Sequence, residues 1–134
     1  MAMRLMADFT LEYPGYFGCE SRCRVRLFEG AAHEPYLALY EELEENPGTS
    51  VTNACEEVCR RIWQYLERPG RGVAFVERYP DRCYLGGRPV FREHFDRVEF
   101  APAPFARRDE FRHPRWKRTS REEVERTIGT PLGP

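Results

Sequence analysis

Between Val51 and Leu66 the apolar side chains are Val51, Ala54, Cys55, Val58, Cys59, Ile62, Trp63, Tyr65 and Leu66. Steps of three and four put them on one stripe of a 3.6-residue helix, with Glu56, Glu57, Arg60, Arg61, Gln64 and Glu67 on the opposite side. Glu56 with Arg60 and Glu57 with Arg61 are i,i+4 pairs in the favourable order, each adding about 0.3 kcal/mol. Pro47-Gly48 makes the turn before this helix, and Thr49 or Ser50 can cap its first N–H groups. Pro69-Gly70 ends it, since proline cannot continue a helix and glycine lets the chain turn. Gly72-Val73-Ala74-Phe75-Val76 follows, apolar on both alternations, which predicts a central strand covered on both faces. A helix that must hide its stripe and a strand that must hide both sides form one packing unit.

The flanking sequence supplies more strands. Phe9, Leu11 and Tyr13 alternate with polar residues; Cys23, Val25 and Leu27 alternate with Arg22, Arg24 and Arg26; Tyr36 to Tyr40 gives a third run. These three predict an antiparallel meander. Phe95 to Phe100 predicts a last strand beyond the Gly86-Gly87 and Pro89 loop. Residues 101–119 carry prolines and arginines without periodicity and read as an irregular segment. Ser120-Arg121-Glu122-Glu123 is a capping box opening a short helix to Ile128, stopped by Gly129. Eight residues are too few for an isolated helix, so Val124, Ile128 and Leu132 must dock on the body, with Trp116 as an anchor ahead of them. The expected architecture is a single α+β domain. It has a mostly antiparallel sheet of four or five strands, one long helix packed on one face and a short C-terminal helix.

Net charge is −1, so no global field draws the chain to nucleic acid or a membrane surface. The balance is uneven along the sequence. Residues 1–50 carry four arginines against nine acids, and residues 101–134 carry eight basic residues against five acids. Met1 to Met6 has no long apolar run and no stretch approaches membrane-spanning length, so a cytoplasmic protein is expected. The five cysteines, an odd number, do not form a secreted disulfide framework.

Four groups of residues carry chemistry worth weighing. Gly48, Thr49, Ser50 and Asn53 stand at a helix start, where free N–H groups favour an anion, yet the same residues are ordinary turn and cap chemistry. The run Glu41, Glu42, Glu44 and Glu45 just upstream opposes a phosphate there. Cys55 and Cys59, and again Cys19 and Cys23, repeat a Cys-x3-Cys spacing. With Cys83 and one of His33, His94 or His113 they could form a zinc set, but Cys55 and Cys59 fall on the apolar stripe, so no metal or cofactor is expected. His94 and Asp96 share one side of a strand, and with Glu77 they make a histidine–carboxylate group of the kind used for acid–base work. No nucleophile elbow, zinc-protease or nuclease pattern accompanies them. Finally, Arg107, Arg108, Arg112, Arg115, Trp116, Lys117 and Arg118 interleave cations with aromatics, as single-stranded nucleic-acid grooves do.

Asn46-Pro47-Gly48-Thr49-Ser50-Val51-Thr52-Asn53, followed by Val76-Glu77-Arg78-Tyr79-Pro80, resembles a pattern in short uncharacterised bacterial proteins. The resemblance covers about a quarter of the chain and implies no activity. With catalytic signatures missing and the two ends oppositely charged, the first expectation is a small binding module acting through protein contacts, as a homodimer. Nucleic-acid binding through 105–118 is second, and an enzyme using His94, Asp96 and Glu77 third.

Overall fold

The computed structural model describes residues 3–14, 20–30, 34–44, 51–81, 90–100 and 114–133. Its elements are β1 (Arg4–Pro14), β2 (Glu20–Glu29), β3 (Tyr36–Glu44), α1 (Val51–Trp63), β4 (Val73–Asp81), β5 (Val90–Glu99), β6 (Arg115–Arg118) and α2 (Arg121–Ile128). The fold is α+β, and the six strands lie in sequence order across one sheet. Neighbours are antiparallel except β3 and β4, which run parallel with Tyr36 opposite Val73 and Glu41 opposite Arg78. A parallel pair needs a crossover, and α1 supplies it.

The faces follow from the alternation read in the sequence. Val25, Leu27, Ala38, Tyr40, Val73, Phe75 and Val98 join Val58, Cys59, Ile62, Trp63 and Leu66 of the α1 segment in one core. Leu37, Ala74 and Val76 meet Val124 and Ile128 of α2 in another. Strand β4 is therefore covered on both sides, as its unbroken apolar run requires. Val58 and Ile62 are fully buried, each such side chain contributing roughly 1.5–3 kcal/mol.

Three expectations are corrected. The sheet has six strands, not four or five, and the parallel β3–β4 pair makes it mixed among otherwise antiparallel neighbours. β5 starts at Val90, five residues before the expected run from Phe95, and β6 forms inside a stretch that reads as irregular. All four residues of β6 are exposed, so no burial pattern marks them. The long helix is also shorter: α1 has 13 residues and ends at Trp63. Beyond it the N–H groups of Tyr65 and Leu66 donate three residues back, to Ile62 and Trp63, so the chain tightens into turns while Leu66 still reaches the core.

Helix α2 keeps its expected ends. Ser120 is the N-cap, its Oγ accepting from Glu123 N at 3.2 Å, and Gly129 takes the left-handed C-cap at φ 79° with its N–H on Glu125 O. An eight-residue helix depends on such a cap, and Ser120→Ala is expected to cost about 0.5–2 kcal/mol, measured by urea unfolding.

Candidate functional site

The register of β4 and β5 joins the acid–base residues suggested by the sequence. Glu77 stands directly opposite His94, and Asp96 is two residues further along β5, opposite Phe75. Phe75 and Val98 belong to the α1 core, so by alternation all three polar residues occupy the α1 face. Glu77 and Asp96 are the buried charged residues among those described. Strand β6 adds a fourth member the sequence reading had placed elsewhere. Arg118 stands opposite Asp96, with its Nε 3.4 Å from Asp96 Oδ1 and its NH1 2.6 Å from His94 Nδ1.

That last contact fixes a tautomer. A guanidinium only donates, so His94 Nδ1 accepts and the ring proton sits on Nε2. In this arrangement His94 presents a hydrogen-bond donor, and the lone pair a general base would need is taken by Arg118. Cys59, on α1, is no substitute nucleophile. Burial, aided by the nearby Glu77 carboxylate, pushes its thiol up to about 12, so it is protonated at any ordinary pH. Cys23 and Cys59 are buried cysteines, and no group of three or more metal-binding side chains occurs among the described residues. The side chain of Cys55, together with Cys19, Cys83, His33 and His113, lies outside the described residues, as do Gly48, Thr49, Ser50 and the side chain of Asn53.

The cationic strip is divided. Arg107, Arg108 and Arg112 lie outside the described residues. Along β6, Trp116 faces the α1 core, its ring 5.3 Å from that of Phe75 in an edge-on contact, and Arg118 shares that side. Arg115 and Lys117 alternate to the α2 side. A stacking platform needs aromatics and cations on one surface. β6 puts its tryptophan and one arginine on one face and the other two cations on the opposite face.

The charge asymmetry of the sequence is balanced largely within the sheet. Arg24 pairs with Asp8 through Nε–Oδ1 at 2.9 Å and NH2–Oδ2 at 2.7 Å, and it stands opposite Glu41, which stands opposite Arg78, which stands opposite Glu93. Arg121 of α2 then reaches Glu93 at 3.0 Å. Acid and base alternate across the five strands from β1 to β5. The bidentate Arg24 holds the Asp8 carboxyl below its usual 3.8, so whatever this exposed pair contributes is present above that value and fades as the pH falls below it.

The sheet has two unlike edges. At one, β6 is four residues long with three cations, the short charged strand that blocks further pairing. At the other, β1 is 11 residues long, and among the described residues only β2 pairs with it. A bulge between Leu5 and Ala7 interrupts its start, and the run from Ala7 to Pro14 is regular. Beside this edge Phe9 stacks on Tyr65 with ring centroids 6.2 Å apart, and the Arg61 guanidinium lies 5.0 Å from the Phe9 ring. Tyr65 is 39% exposed and Leu5 50%. Sequence reading missed this patch because Tyr65 counts as part of the helical stripe, whereas the tightened turn after Trp63 carries it outward. No helix among the described residues is long and apolar enough to cross a membrane. Comparison with family models, curated proteins and solved structures finds no match to this chain.

Proposed function

We propose that this chain is a small cytoplasmic binding module whose β1 edge pairs with the β1 edge of a second copy. The observation that carries the reading is the unlike pair of sheet edges. An exposed strand edge is a row of unpaired backbone donors and acceptors, and proteins shorten, charge or cover the edges they mean to keep free. β6 has been treated that way, whereas β1 keeps a long regular run.

The side chains along β1 suit self-pairing. An antiparallel two-fold at Phe9 sets Ala7 opposite Leu11 of the partner and Asp8 opposite Thr10 of the partner, so no like charges are opposed there. Asp8 is already neutralised by Arg24 in its own chain. Phe9, Tyr65 and Arg61 from each copy then lie near the axis, and aromatic and arginine side chains are the residue types that dominate interface energies. The buried free thiol of Cys59 fits a reducing compartment.

Light scattering on the purified chain is expected to give the dimer mass, and Phe9→Lys the monomer mass with an unchanged fold by circular dichroism. A wild type that stays monomeric at every accessible concentration and recovers no partner in pull-downs overturns the reading. The other two readings have less support. Nucleic-acid binding loses a common surface for Trp116 and Lys117. Acid–base chemistry at Glu77, His94 and Asp96 has the adjacency it needs, but requires Arg118 to release Nδ1.

A further inference from the structure

Directly opposed charged residues in this sheet follow one rule. Arg4 faces Glu29, Asp8 faces Arg26, Glu12 faces Arg22, Arg22 faces Glu44 and Arg24 faces Glu41. Glu41 faces Arg78, Arg78 faces Glu93, Asp96 faces Arg118 and Glu99 faces Arg115. Each is an opposite-sign pair, the arrangement that stabilises neighbouring strands, while like charges directly opposed destabilise them. Within the described register Arg97 facing Lys117 breaks the rule.

This exception adjoins a cavity while staying in reach of solvent, the Arg97 side chain being 40% exposed and that of Lys117 58%. Arg97 and Lys117 both line a cavity of about 440 Å3 between α2 and the β5–β6 edge. Ala74 and Val124 give it an apolar floor, and Thr119, Ser120 and Thr127 bring hydroxyls to it. Among the described residues the two cations share one carboxylate: Glu99 Oε1 is 3.6 Å from Arg97 Nε and 3.6 Å from Lys117 Nζ. Both distances exceed the roughly 2.7–2.9 Å of a strong charge-assisted hydrogen bond. Arg115, which faces Glu99, adds a third cation to that one acid. Two acids line the cavity itself, and both have cations of their own: Glu123 is paired with Arg126, and Asp96 with Arg118. The local excess is positive.

We infer that Arg97 and Lys117 form a binding site for the phosphoryl group of a small phosphorylated molecule. An oxyanion between them turns a repulsive cross-strand pair into two attractive contacts. Arg97 supplies guanidinium donors, although its NH2 also donates to Arg71 O at 3.3 Å, Lys117 supplies a point charge, and the hydroxyls of Thr119 and Ser120 supply further donors, while Thr127 Oγ1 already donates to Val124 O at 3.0 Å. The apolar floor takes the organic part of the ligand, and the cavity volume falls within the range of small-molecule sites. The site lies at the opposite edge of the sheet from β1, so it and the dimer reading stand or fall separately.

The test uses the full chain with inorganic phosphate and phenyl phosphate as probes, against chloride at matched ionic strength. Both probes are expected to raise Tm saturably by a few degrees, phenyl phosphate at lower concentration, and to shift the backbone amide resonances of Arg97, Lys117, Thr119 and Ser120. Lys117→Gln and Arg97→Gln should each abolish the Tm response while leaving Tm in chloride unchanged or higher, because each removes a like-charge opposition. Loss of Tm in chloride in both variants would instead assign the two residues to the ion pairs with Glu99 and overturn the inference. Equal melting in both salts, or resonance shifts confined to other residues, would also overturn it. A single-stranded oligonucleotide binding where phenyl phosphate does not would reject the small-molecule class.

Discussion

Phe75→Ala is expected to lower unfolding stability by about 3–5 kcal/mol, the range for emptying a large aromatic from a closed core. Phe75 is fully buried at the centre of β4, between Ala38 of β3 and Asp96 of β5. Its ring lies 6.2 Å from that of Tyr40 and 5.3 Å from that of Trp116. Truncation removes transfer energy and leaves a cavity that the neighbours cannot easily fill, because the sheet backbone fixes them on both sides. It also removes the ring against which the exposed β6 strand holds its tryptophan. Since small domains are stable by roughly 5–15 kcal/mol, the loss is a large fraction of the total. Urea titration of wild type and variant measures it, with Phe95→Ala as the comparison. Phe95 is only partly buried, on the α2 face, and should cost visibly less. Similar losses at the two positions would mean that the α1 core does not dominate the fold.

The second large effect is alkaline. Burial, with a smaller contribution from Glu77, pushes the Cys59 thiol from 9.0 to about 12. The folded state therefore keeps its proton where the unfolded chain has lost it. For a raised value the associated stability is fully present below pH 9, declines from there, and is gone once the pH has passed 12. At about 1.4 kcal/mol per unit the total is on the order of 4 kcal/mol. Stability of the wild type should fall with this slope above pH 9, and Cys59→Ala should lack that component. All other ionisable groups are common to the two proteins and cancel in the difference. A parallel decline in the two proteins would show Cys59 to be accessible. The same burial should slow alkylation of Cys59 in the native state by about a thousandfold relative to the unfolded chain, because the thiolate is the reactive form.

What made parts of this protein legible is the range over which each signal acts. The helix around Val58 and Ile62, the two-sided burial of Val73 to Val76 and the ends of α2 at Ser120 and Gly129 are written in residues a few positions apart. Local geometry converts such spacing directly into faces and caps. His94 and Asp96 could be placed side by side for the same reason, since two residues along a strand return to one face. The strand number failed where burial does not alternate. Arg115 to Arg118 are all exposed, so only pairing with β5 makes them a strand. The helix length failed where a turn replaces the last helical hydrogen bonds without releasing Leu66 from the core.

The chain by itself determined which side chains are hidden and which segments turn, because apolar periodicity and caps act between near neighbours. Tertiary structure alone decided which charges meet across the strands. Glu77 joins His94, Arg118 arrives at Asp96, and Arg97 is set against Lys117 through strand register, a contact between distant segments that no local spacing encodes.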